Sequence, residues 1–182
     1  MRGGRKRTQA VDRAVEPWNV VRDAVLPGAL AGTLGAFAMG VLGCAFSGVL
    51  HGEPWRPALL VSGLFFRDGS AHGALGVLLG LFIHLAVAGG LATGFALLLP
   101  RRGTAVAALC LGVLYGMGVW LMMTRLMLPF GSPPLAHEGA SALLFLLHLA
   151  FGAALGTVPA LRSVLTRADR LRRRLQLLKQ QA

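Results

Sequence analysis

The chain has 182 residues, of which 55% are hydrophobic and 14% charged, with 25 Gly, two Cys and a formal net charge of +11. A soluble domain carries about a quarter of its residues as charges, so this composition excludes one and points to lipid as the solvent. The cations cluster at the flanks of apolar windows and no aromatic or loop motif accompanies them, which argues against a nucleic-acid face and leaves that reading to the Arg-rich tail alone.

Four windows contain no Asp, Glu, Lys or Arg: residues 24–52, 69–100, 103–124 and 139–161. Each exceeds the roughly 20 residues a helix needs to cross about 30 Å of hydrocarbon. Backbone N–H and C=O groups find no partner in lipid, so these runs are expected to be helices. The expected fold is all-α, a four-helix transmembrane bundle with spans at about 27–50, 72–99, 104–128 and 139–161. The domains are a basic arm and interfacial helix (1–25), the transmembrane unit (26–161) and a basic amphipathic helix (162–182).

Residues 1–10 read as a disordered basic arm. In 11–25, Val11, Ala14, Val15, Trp18, Val21 and Val25 fall at helical spacing, predicting an amphipathic helix in the membrane interface with Trp18 at headgroup level. The apolar stretch after Asp23 is too long for a signal peptide and is read as a retained span.

The first span carries small residues at i, i+4 spacing, Gly28, Gly32, Ala36, Gly40, Cys44 and Gly48, which predicts close approach of another helix. A polar loop, 51–57, follows. Residues 57–66 are apolar but too short to cross, so they lie in the interface or re-enter the membrane.

The second span has the stripe Gly76, Gly80, His84, Ala88 and Ala92. It ends at Pro100-Arg101-Arg102-Gly103, a tight turn that predicts antiparallel, neighbouring second and third spans. The third span aligns Ala108, Gly112 and Gly116. Its far end, Met122 to Met127 around Arg125, reads as gap filling with a snorkelling Arg, or as an adaptable binding wall. Cys44 and Cys110 are expected about 15 Å apart in depth, too far for a disulfide.

After a Pro-rich loop at 129–138, the fourth span puts His148, Gly152, Gly156 and Ala160 on one stripe. In the tail, Leu161, Val164, Ala168, Leu171, Leu175 and Leu178 form a short heptad seam among Arg and Lys. This predicts a basic helix on the inner leaflet, with self-association or a cytoplasmic partner as the alternative; for the whole chain a homo-oligomer or a membrane partner is expected.

Residues 83–94 and 147–158 share His, Leu, Ala, Leu and Thr at identical offsets, 64 positions apart. This predicts two repeated helical hairpins in one orientation, each with a His on its second helix. Fifteen of the 18 Lys and Arg fall on the side of the termini and the Arg101-Arg102 turn, against Arg56, Arg67 and Arg125 on the other. By the positive-inside rule the termini are cytoplasmic, facing anionic headgroups.

No phosphate loop, nucleophile elbow or zinc-protease motif is present, so no catalytic residue is assigned. His51, Glu53, His72, His137 and Glu138 gather on the outward side and have the chemistry to ligate a divalent metal, although their spacings match no tight motif and loop histidines at a headgroup boundary are usually just solvated. His84 and His148, at matching depth on stripes of small residues, could supply the axial ligands of a b-type haem. The plainer reading is that each His hydrogen-bonds a neighbouring helix. Gly28, Gly32, Gly40, Gly76, Gly80, Gly112, Gly116, Gly152 and Gly156 are the expected packing positions.

A Gly-rich first span, a Pro-Trp-containing outer loop (Pro54-Trp55) and a His on spans two and four resemble the YagU-like group of bacterial inner-membrane proteins over about residues 26–161. The resemblance implies an integral, multi-pass inner-membrane protein and carries over no functional residues. The expected function is non-enzymatic, a structural or accessory subunit or a small-solute permease component. The alternative is a haem-binding electron carrier using His84 and His148.

Overall fold

The structure is a computed structural model, and it describes residues 17–63, 66, 73–101, 103–131 and 142–181. All regular structure among them is helical. A π-turn, Val21–Val25, leads into α1 (Leu26–His51), followed by the short α2 (Arg56–Ser62), α3 (Gly73–Leu98) and α4 (Ala105–Met122). A second π-turn, Met123–Met127, joins α4 to α5 (Leu128–Gly131), and α6 (Ala142–Leu155) and α7 (Val158–Gln181) complete the chain. Four helical runs are long and apolar enough to cross a membrane, beginning at Val21, Gly73, Ala105 and Ala142. The chain is a multi-pass helical membrane protein.

Side chains are sorted by size. Ala24, Ala31, Ala36, Ala88, Ala92, Ala96 and Ala108 are buried, whereas Phe37, Val49, Phe82, Leu98 and Val106 are exposed. In water so much exposed apolar surface would drive aggregation. In hydrocarbon no such penalty exists, and small residues face inward because they let backbones meet.

Helix α1 packs against α3 and α6, α4 packs on α6, and α2 packs on α3. A methyl group on Gly28 would stand 2.6 Å from Thr93 Cα, and one on Gly32 would stand 2.6 Å from the Ala88 carbonyl oxygen. The second contact of this kind joins α4 to α6, where Gly112 meets Gly152 and Gly116 meets the His148 carbonyl. Gly156 packs near Leu109, with a Cβ position 3.1 Å from Leu109 Cα. Gly76 is buried on α3. Gly80 lies against the backbone of Ala58 in α2, so this glycine admits the short helix. Gly80 is about 10 Å along α3 from Gly73, at 1.5 Å per residue, so α2 meets α3 about two turns in from its first described residue.

One packing expectation is corrected. A Cβ on Gly40 would meet nothing within 4 Å. With 3.6 residues per turn, each i, i+4 step rotates about 40° beyond a full turn, so the stripe leaves the contact face after Ala36. Met39, Gly43 and Ser47 are the buried residues there instead. Spans two and three are the antiparallel neighbours that the tight turn predicts. The Pro100 turn reverses the chain, with Gly103 N–H donating to Pro100 O at 3.2 Å and Thr104 Oγ1 accepting from Ala107 N–H at 3.1 Å. The small faces of α3 and α4 are nonetheless turned to α1 and α6, and Tyr115 bridges α4 to α3. Its hydroxyl donates to Leu91 O at 2.9 Å, and its ring lies 5.4 Å from that of Phe95.

The first membrane helix begins earlier than 27. Asn19 Oδ1 accepts from Arg22 N–H and Asp23 Oδ2 accepts from Asn19 N–H, both at 3.0 Å, a reciprocal cap that starts the helix at Val20. Residues 21–25 are therefore continuous with α1, while 1–16 lie outside the described residues. The tail continues from span four through a turn at Gly156-Thr157. There Gly156 and Thr157 donate to Ala153 and Ala154, both at 3.0 Å. Pro159, lacking an N–H, cannot bond the Leu155 carbonyl and clashes with it in a regular helix, so the helix tightens and restarts. Gly52, at φ 70°, closes α1 by donating to Gly48 O at 3.0 Å, a left-handed cap that suits glycine.

Candidate functional site

The interior polar groups are few. His84 Nε2 lies 3.2 Å from Ala36 O, so that nitrogen carries the proton and ties α3 to α1. His148, buried, places Nδ1 at 2.8 Å from Leu144 O in its own helix, leaving Nε2 as the acceptor nitrogen of a neutral ring. Thr93 and Thr157, the repeat's hydroxyls, each donate to their own helix, at 2.9 Å to Gly89 O and 2.7 Å to Ala154 O. Tyr115, one residue before Gly116, completes this seam. It is the only Tyr in the chain, so no repeat or periodicity singled it out.

On the opposite end, His51 closes α1 and Glu53 follows it, both exposed. Ser47 Oγ donates to Glu53 O at 2.8 Å and draws this loop onto the helix. His72, His137 and Glu138 lie outside the described residues. Among the described residues, no three His, Cys, Asp or Glu side chains form a cluster suited to a metal. Cys44 and Cys110 are unbridged.

The densest chemistry is at the end where α3 stops and α1 and α7 start. Arg162, on α7, is 8% exposed. Its Nε donates to Asp23 O at 2.6 Å and one terminal nitrogen donates to Leu99 O and Pro100 O, each at 3.2 Å. Its other terminal nitrogen donates to Ala96 O. One guanidinium thus holds the N-terminal end of span one, the C-terminal end of span two and the start of α7 together. Arg22 lies beside it, with Nε 2.9 Å from Asp23 Oδ1 and a terminal nitrogen 3.3 Å from Asp169 Oδ2. Arg101 reaches Asp23 Oδ2 at 3.5 Å, and Arg173 reaches Asp169 Oδ2 at 2.9 Å. The Trp18 ring takes both Arg101 and Arg162 against it, with guanidinium carbons 5.1 and 5.8 Å from its centroid. A cleft of about 330 Å³ opens here, walled by Trp18, Arg101, Arg162, Thr166, Arg167 and Arg170.

In the sequence Arg162 reads as one member of a solvated charge run. The signal that could have set it apart is its position directly after an apolar window, where a side chain can still reach the last carbonyls of a neighbouring helix. No family model, curated protein or solved structure matches the chain.

Proposed function

We propose that the chain is a non-enzymatic structural or accessory subunit of a bacterial inner membrane, with both termini and the Pro100 turn on the cytoplasmic side. The observation that carries this reading is the backbone contact at Gly28, Gly32, Gly112 and Gly152. Helices in such contact give a tight scaffold, and the two histidines and Tyr115 are bonded to carbonyls rather than gathered around a water-filled path. The concentration of arginine at one end supports the orientation through the positive-inside rule. The resemblance to the YagU-like group supports the inner membrane.

The hairpin repeat gains support from register. Gly32 meets Ala88 in the first pair and Gly112 meets Gly152 in the second. Ala88 and Gly152 are 64 positions apart, the spacing of the histidines. On this reading the first hairpin is the longer by the loop that holds α2, which re-enters the membrane from the outer side.

Flux through proteoliposomes tests the reading. Protein-free and protein-containing vesicles are expected to admit small neutral solutes and protons at equal rates. A saturable flux lost in His84→Ala or His148→Ala would replace the scaffold with a permease component.

A second reading, b-type haem between His84 and His148, is supported by the His148 ring, whose Nδ1 bond to Leu144 O leaves Nε2 as the nitrogen able to ligate. It requires His84 to give up its Nε2 bond to Ala36, since that nitrogen ordinarily takes the iron. A Soret band in the purified protein that disappears in both alanine variants would establish it, and a colourless protein that does not take up added haemin would end it.

A further inference from the structure

We propose that the cleft between Trp18, Arg101 and the first turns of α7 is a binding site for one phosphate-bearing anion, the headgroup of an anionic phospholipid. The lipid as source rests on the membrane reading above, whereas the phosphate chemistry rests on the cleft alone.

Charge is the first argument. Arg22, Arg101, Arg162, Arg167, Arg170 and Arg173 converge on this end, against the carboxylates of Asp23 and Asp169, both already engaged by arginine. Rigidity is the second. The Arg162 guanidinium is fixed by four carbonyl oxygens on two chain segments, Asp23 at the start of span one and Ala96, Leu99 and Pro100 at the end of span two. Carbonyls are neutral, so they orient the cation without cancelling its charge, and an arriving anion meets a group that no longer has to be ordered. Location is the third. Val21, Leu98 and Val106 flank this end and are exposed by 57%, 79% and 70%, giving acyl chains an apolar surface directly beside the arginines. Trp18 lies between the two zones, as indoles do at headgroup level. A basic pocket at the ends of membrane helices is the arrangement that holds anionic headgroups, and the cleft volume of about 330 Å³ is at the lower end of small-ligand sites.

The test uses the full chain, delipidated in a neutral detergent, so its outcome does not depend on orientation in the cell. Short-chain phosphatidylglycerol, phosphatidylcholine and inorganic phosphate are titrated separately, with the stoichiometry of bound lipid read by native mass spectrometry. Phosphatidylglycerol is expected to bind saturably at one per chain and to be preferred to phosphatidylcholine. Arg167→Gln and Arg170→Gln are each expected to weaken it by about fivefold. Both side chains are exposed, so these variants keep the fold, and unchanged circular dichroism verifies that. Arg174→Gln, the same charge change farther along the tail, is expected to leave affinity unchanged. Equal weakening by all three variants, or binding that never saturates, would overturn the site. Competition by inorganic phosphate at the same concentration as the lipid would overturn the lipid as its occupant.

Discussion

Gly112 and Gly152 face each other across the contact of α4 and α6, each lying where a side chain on the other would have to stand. The consequence is a rule for which glycines tolerate a methyl group. Gly152→Ala is expected to cost about 2 kcal/mol through overpacking. Gly40→Ala, whose Cβ enters open space, is expected to be neutral or to stabilise by up to about 1 kcal/mol. Thermal unfolding of both variants in one detergent checks the contrast.

Arg162→Gln removes the group that joins span one, span two and α7. Buried carbonyls then lose a charged donor, and the Asp23 region loses a neighbouring cation. The expected destabilisation is about 3 kcal/mol. Arg174→Gln, on an exposed part of α7, is expected to leave the unfolding temperature in place. Arg162→Lys is expected to resemble Arg162→Gln, because one ammonium cannot reach four carbonyls on two segments as a guanidinium does.

The four spans were legible because a charge-free run has to be compared with only one length, the bilayer thickness. Their ends were less so. A scan for charges stops at Asp23, but Arg22 neutralises Asp23 in the folded chain and the Asn19 cap starts the helix at Val20. The small-residue stripes identified Gly28, Gly32, Gly112 and Gly152 as contacts and overreached at Gly40, since an i, i+4 ladder winds around its helix. His84 and His148 stood out through the repeat. Their partners did not, because a carbonyl acceptor leaves no mark in the sequence, and for the same reason Arg162 and Tyr115 passed as ordinary residues.

Tyr115→Phe separates the bridging hydrogen bond from the ring contact. Without its donor to Leu91 O, α4 is expected to lose about 0.6 kcal/mol, the average for such bonds inside membranes. Tyr115→Ala also removes the packing on Phe95 and is expected to cost several times more. Unfolding temperatures of the two variants, measured side by side, give the comparison.

The account turns on an even number of crossings with the arginine-rich end inside the cell, and single-cysteine labelling tests this most directly. In a background where Cys44 and Cys110 are replaced by Ala, one cysteine is placed at Glu53 and, separately, at Gln180, both exposed. A membrane-impermeant maleimide is expected to label the cysteine at position 53 in intact cells, and the one at position 180 only in inverted vesicles. Labelling of both from the same side, or of position 180 from outside, would contradict the account.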